Sequence, residues 1–126
     1  MPRSSSVFAD VILQISPGYH INANPATYPY LIATKLEHGT VQDVEVIDGS
    51  IIYPPAEHKK FAFADEPLAV YEGQVVINLP LKISSRAKGQ TALPVKVRVQ
   101  ACDNEKCFPP ATIEDLIKID LDLPRP

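Results

Sequence analysis

The stretch Leu93-Pro94-Val95-Lys96-Val97-Arg98-Val99-Gln100-Ala101 sets Leu93, Val95, Val97, Val99 and Ala101 on one side of a two-residue period. Lys96, Arg98 and Gln100 fall on the other side. That period belongs to a β-strand with one apolar and one polar face. Cys102 continues the polar register, so a regular strand would leave it reachable from solvent. Upstream, Val75, Ile77, Leu79, Leu81 and Ile83 alternate in the same way. Pro80 interrupts that run without a donor for a ladder, which points to a sheet edge or a bulge.

Working outward, thirteen prolines and five glycines are scattered along the 126 residues and cut them into short apolar runs. Further strands are expected at 7–15, 19–22, 30–36, 41–47, 60–63 and 117–123. Asp65-Glu66-Pro67 opens what reads as a surface loop reaching Glu72-Gly73. Thr112 followed by Asp115 has the spacing of a capped helical turn. Short strands between turn signals, with almost no helix, suit an all-β fold, an immunoglobulin-like antiparallel β-sandwich of two sheets. The expected organisation is a disordered tail at 1–6, one domain over 7–123 and the start of a linker at 124–126.

The bulk properties exclude several roles. A net charge of −3 and a pI near 5.5 do not suit a nucleic-acid partner, which calls for a basic stripe. There is no run of apolar residues long enough to span a bilayer. Met1 to Ser6 carries one arginine, but Asp10 and Gln14 break the apolar stretch that follows, so the start does not read as a signal peptide. The chain is expected to be an excised piece of a longer secreted precursor.

The segment Cys102-Asp103-Asn104-Glu105-Lys106-Cys107-Phe108-Pro109-Pro110 contains both cysteines of the chain. A tight turn after a strand brings positions five apart close enough to bridge. Such a bridge closes so short a loop that the chain-entropy argument assigns it about 2 kcal/mol. Lys106 favours a thiolate at Cys107, while Asp103 disfavours one at Cys102. This nominates Cys107 as the partner-facing sulfur and Cys102 as the resolving one. Phe108 offers an apolar contact to a docking partner, and Pro109-Pro110 holds the exit extended. Redox exchange, a structural staple and two unrelated thiols all remain open on this chemistry. The C-x4-C spacing is wide for a zinc knuckle and has no second pair. His20 reads as a hydrogen-bonded strand-end residue, and His38 and His58 as exposed residues beside turns. Ser84-Ser85 lacks a nucleophile elbow, and the adjacent acids Asp65 and Glu66 read as a solvated loop rather than a glycosidase pair.

Gln100-Ala101-Cys102, the spaced Cys107 and Pro109-Pro110 resemble the N-terminal periplasmic domain of the thiol:disulfide interchange protein DsbD. Gly18-Tyr19-His20-Ile21-Asn22-Ala23-Asn24 is similar to an early motif of that family, and Tyr53-Pro54 to a mid-chain one. The resemblance implies an immunoglobulin-like sandwich with the cysteines near one end. It implies electrons accepted from a thioredoxin-like domain and passed to periplasmic thioredoxin-fold partners, including disulfide isomerases and cytochrome c maturation proteins. Cys107 would form the mixed disulfides and Cys102 would resolve them, with no bound cofactor and no metal. The family shields its disulfide with a cap loop, to which Asp65, Glu66, Val70 and Tyr71 correspond in position. Four residues separate the cysteines here, one fewer than in the best-known member. Val70 stands where a shielding aromatic is expected, so either Tyr71 takes over the shielding or the cap is looser, and docking is expected at Phe108, Pro109 and the Tyr71 loop. The rival class is a non-catalytic immunoglobulin-like binding or scaffolding module with a structural disulfide.

Overall fold

A computed structural model of the chain describes residues 5–122. The strands in chain order are β1 (Ser5–Gln14), β2 (His20–Asn22), β3 (Lys35–His38), β4 (Val44–Val46), β5 (Glu57–Lys59), β6 (Leu68–Tyr71), β7 (Gln74–Ile83), β8 (Gln90–Val99), β9 (Ala101–Cys102) and β10 (Ala111–Asp120). Among the described residues a single 3-10 turn occupies Asp48–Ser50. The fold is an antiparallel, immunoglobulin-like β-sandwich. One sheet has the order β1-β7-β4, the other β10-β8-β3, and a smaller sheet β5-β6-β2-β9 sits at one end. The alternating runs that suggested two sheets supply the main core. Val75, Ile77, Leu79, Leu81 and Ile83 of β7 face Leu93, Val95, Val97 and Val99 of β8, all within one buried cluster. Burial of these side chains contributes roughly 1.5–3 kcal/mol each, before chain entropy is set against it.

The smaller sheet is built from continuations of the larger ones. β6 runs into β7 through Glu72-Gly73, β8 runs into β9 past Gln100, and β1 reaches β2 through a turn closed by the Tyr19 N–H on Ser16 O. At the β6–β7 kink Gly73 has φ +68° and its carbonyl accepts the Ile15 N–H at 2.8 Å. A side chain at that φ would be strained. With these breaks there are ten strands among the described residues.

Several local expectations are corrected. β1 begins at Ser5, so Ser5 and Ser6 are strand and not tail. The remainder of the expected tail and the linker start at 124–126, with Leu123, lie outside the described residues. The 30–36 strand shrinks to Lys35–His38, and 41–47 to Val44–Val46. The strand expected at 60–63 is a turn, and Glu57–Lys59 pairs with β6 instead. The surface loop expected to reach Glu72-Gly73 ends early, because Leu68–Tyr71 is a strand buried on both faces. A strand covered on both faces shows a continuous apolar run and no alternation.

Thr112 and Asp115 form no helical turn. They lie in β10, which pairs with β8 from Ala111↔Val99 to Asp120↔Gln90. A ten-residue ladder outweighs one nucleated turn, whose first hydrogen bond comes at high entropic cost. Pro80 lies on central strand β7, just past the end of β4. Its carbonyl accepts the Ile47 N–H at 3.0 Å, while the Ile47 carbonyl is occupied by the Ser50 N–H at 3.0 Å. The missing Pro80 donor therefore leaves no acceptor waiting.

Candidate functional site

Cys102 and Cys107 face each other across a small hairpin that leaves the end sheet. The Phe108 N–H donates to Ala101 O at 2.9 Å on one side of the pair, and the Asp103 N–H to Lys106 O at 2.9 Å on the other. The cysteines thus occupy a position between two hydrogen-bonded pairs, where opposing strands come closest. Their Cα atoms are 3.9 Å apart and the sulfurs are bonded. Asp103 shapes the tip of the hairpin. Its Oδ1 accepts the N–H groups of Glu105 and Lys106, both at 2.8 Å. The Glu105 N–H, and then that of Lys106, hold the Asp103 carboxyl below its ordinary pKa.

The two sulfurs differ in access. Cys102 is fully buried and Cys107 half-buried. The strand register placed Cys102 on the side opposite Ala101, as the alternation requires, but that side is not solvent. His20 pairs with Cys102 and Asn22 with Val70, on the face opposite Ile21, Ala101 and Tyr71. Phe61 packs with Leu68 and Val70 on the cysteine face, flanked by Tyr28, Leu31 and Ala64. A polar register does not reveal a covering loop contributed from forty residues away.

His20 belongs to this site in a way that its sequence context did not disclose. It is 1% exposed, and its ring stacks on Phe61 at 4.1 Å between centroids and 17° between planes. Phe63 extends the stack, 5.5 Å from Phe61. The expected hydrogen bond is absent at Nε2, which is buried without a partner. Burial pushes the His20 pKa down, while Glu72 and Asp103 pull it up and Lys59 pushes it further down. The ring is therefore neutral at ordinary pH. The only advance signal was a histidine alternating with Asn22 in a strand otherwise apolar.

Gln100 ties the hairpin to the early motif. Its Oε1 accepts from Asn22 Nδ2 at 3.0 Å and from the Ile32 N–H at 3.3 Å, and its Nε2 donates to Phe108 O at 3.4 Å. Thr34 Oγ1 donates to Asn22 O at 2.7 Å, and Asn24 Nδ2 to Thr34 O at 2.8 Å. The residues 22, 24 and 100 that looked like motif letters are thus a bracket of hydrogen bonds beneath the disulfide.

The residues expected to shield or dock are dispersed. Tyr71 turns away from the sulfurs: its ring lies in the main core, and its hydroxyl donates to Pro54 O at 2.8 Å and accepts the Asn24 N–H at 3.2 Å. Period-2 geometry forces this, because Val70 holds the cysteine face. The aromatic rings on that face come from the turn holding Phe61 and Phe63. Lys60 Nζ braces this turn by donating to Phe61 O at 3.0 Å and to Ala64 O. Asp65 and Glu66 are exposed just beyond it. Phe108 is half-buried, 6.2 Å from the Tyr19 ring, with Lys106 Nζ 5.4 Å from its centroid, and Pro109 is exposed. His38 is half-buried rather than exposed, bonded to Gly39 O and Asp48 Oδ1 at 2.7 Å each, and His58 lies exposed on β5. Among the described residues no helix is long and apolar enough to cross a membrane.

Comparison with known families places residues 5–119 in the one described as thiol:disulfide interchange protein DsbD, N-terminal. No curated protein matches the chain. The chain belongs to the DsbD N-terminal family, and with the Cys102–Cys107 bridge this supports a thiol–disulfide exchange domain.

Proposed function

From this family membership we propose that the protein is a dithiol–disulfide carrier. It accepts an electron pair from a thioredoxin-like domain and passes it to extracytoplasmic thioredoxin-fold proteins. The observation that carries the reading is the asymmetry of the bridge: Cys107 is half-buried while Cys102 is fully enclosed. In the accepting direction a donor thiolate attacks Cys107 Sγ and Cys102 leaves as thiolate, then takes up a proton. The donor's second thiolate breaks the mixed disulfide, leaving the donor oxidised and the domain as a dithiol. In the donating direction Cys107 attacks the acceptor's disulfide and Cys102 resolves the product. The sulfurs hold the electron pair, so the cycle requires no cofactor. Phe108 and Pro109, with Asp65 and Glu66 across the cap turn, form the rim against which a partner docks. Membership of the family supports a periplasmic setting and attachment to a membrane-anchored protein.

The test is trapping with a thioredoxin-fold partner. Cys102→Ala should accumulate a mixed disulfide through Cys107, because nothing resolves it. Cys107→Ala should form none. The reverse pattern would overturn the assignment of the sulfurs. A parent bridge that no thioredoxin-type protein reduces would instead indicate a scaffold with a structural staple.

A further inference from the structure

Resting on the exchange reading, we propose that His20 is the base that receives the Cys102 thiol proton when Cys102 resolves a mixed disulfide. His20 and Cys102 are direct cross-strand partners in β2 and β9, so their side chains leave the sheet on the same face. Both are sealed from water, at 1% and 0% exposure. A buried polar atom without a hydrogen bond costs about 1–3 kcal/mol, and His20 Nε2 is such an atom. In the disulfide form Cys102 has no proton to offer it. In the dithiol form Cys102 carries an S–H on the face it shares with the neutral imidazole, which offers Nε2 a donor. The Phe61 stack fixes the plane of the ring.

The step balances. With its own proton on Nδ1, His20 takes the Cys102 S–H proton at Nε2. The Cys102 thiolate attacks Cys107 Sγ in the mixed disulfide, forming the Cys102–Cys107 bond. The bond from Cys107 to the partner breaks and the partner leaves as thiolate, later protonated from water. The domain loses two electrons and the partner gains them. The imidazolium then releases its proton to solvent as the cap turn opens. The charged groups around the ring are Glu72 and Asp103, which favour the imidazolium, and Lys59, which opposes it. Lys59 is itself paired with Glu72 and Glu57, which softens its effect.

The experiment mixes the reduced domain with glutathione disulfide, quenches with acid at intervals, and separates the Cys107–glutathione adduct from the intramolecular disulfide by mass. His20→Phe keeps a ring for the Phe61 stack and removes the base. It should form the adduct at the parent rate but resolve it at least tenfold more slowly, in keeping with the usual scale of general-base catalysis. The resolution rate of the parent should level off above the His20 titration, whereas that of the variant should keep rising towards the thiol range. His20→Gln, which retains polarity without basicity, should follow His20→Phe and covers the case in which the phenylalanine variant does not fold. Parent-like resolution and pH profile in either folded variant would overturn the role of His20 while leaving the exchange reading intact. Failure of the parent to exchange with any thiol or disulfide would instead overturn the exchange reading.

Discussion

The Phe61 side chain, 7% exposed, covers the face on which the disulfide lies, stacked on His20 beside it. Phe61→Ala removes a ring that excludes water well, so reduction by glutathione should speed up several-fold. Tyr71→Phe should leave that rate unchanged, because Tyr71 lies on the opposite face. It should instead lower stability by about 1–3 kcal/mol, since the Pro54 carbonyl and the Asn24 N–H lose a shared partner. Thiol-reduction kinetics and denaturant midpoints separate the two. A faster reduction of Tyr71→Phe at unchanged stability would return the shield to Tyr71. At this scale the cysteine pair was legible because two cysteines five apart after a strand have little else to do. The identity of the shield was not. Which ring lies over a sulfur depends on strand register and on a turn from another part of the chain, and neither is written in local sequence. His20 was read as a bonded strand end because a buried histidine normally finds a partner for both nitrogens.

At the scale of elements, the end of β3 is joined to the 3-10 turn by His38. Both ring nitrogens face acceptors only, Gly39 O and the Asp48 carboxylate, so the doubly protonated imidazolium satisfies both. Burial alone would lower the His38 pKa; the Gly39 carbonyl and the Asp48 carboxylate more than offset it, and the net shift from 6.5 is upward. A raised folded pKa means the stabilisation is complete below 6.5 and is lost as pH rises through the folded value. With Asp48 largely exposed, solvent screening keeps this below about 1 kcal/mol. Between pH 5 and 9 His38 contributes a slight fall in stability and His20, whose pKa burial lowers, a change of the opposite sign, so the His38 fall is read as the difference between the parent and Asp48→Asn, in which it should shrink. A fall of the same size in Asp48→Asn would remove the pair from the account. β10 gives a second contrast. As a helix cap Thr112 would contribute about 1 kcal/mol, but as an exposed residue opposite Arg98 it should contribute under about 0.5 kcal/mol. A Thr112→Ala midpoint shift worth a full cap would speak for the helical turn. β7, with clean alternation, was legible nearly to the residue, and β8 to within three residues at its start. β6 was not, since burial on both faces erases the alternation that marks a strand.

For the whole molecule, the placement of the core relative to the bridge decides whether the domain can cycle. The main cluster runs from Leu13 through the β7 and β8 faces to Leu121 and joins both large sheets. The bridge lies outside it, closing a hairpin between residues five apart at the end sheet. Breaking it frees only a short loop, for which the chain-entropy argument gives about 2 kcal/mol. A fully enclosed core residue weighs as much or more: Ile77→Ala or Leu79→Ala should each cost about 2–5 kcal/mol. The reduced domain should therefore keep its β-sheet circular dichroism and a cooperative transition, with stability lowered by about 2 kcal/mol or less. A carrier needs this, since its dithiol form must survive long enough to meet the next partner. The measurement is denaturant unfolding of the oxidised and reduced forms side by side, with Ile77→Ala as the scale. If reduction alone unfolds the domain, or costs more than the core truncation, the bridge is a structural staple and the carrier reading fails. If the reduced form unfolds as one cooperative unit near the oxidised midpoint, the fold stands on its core, and the disulfide is free to open and close.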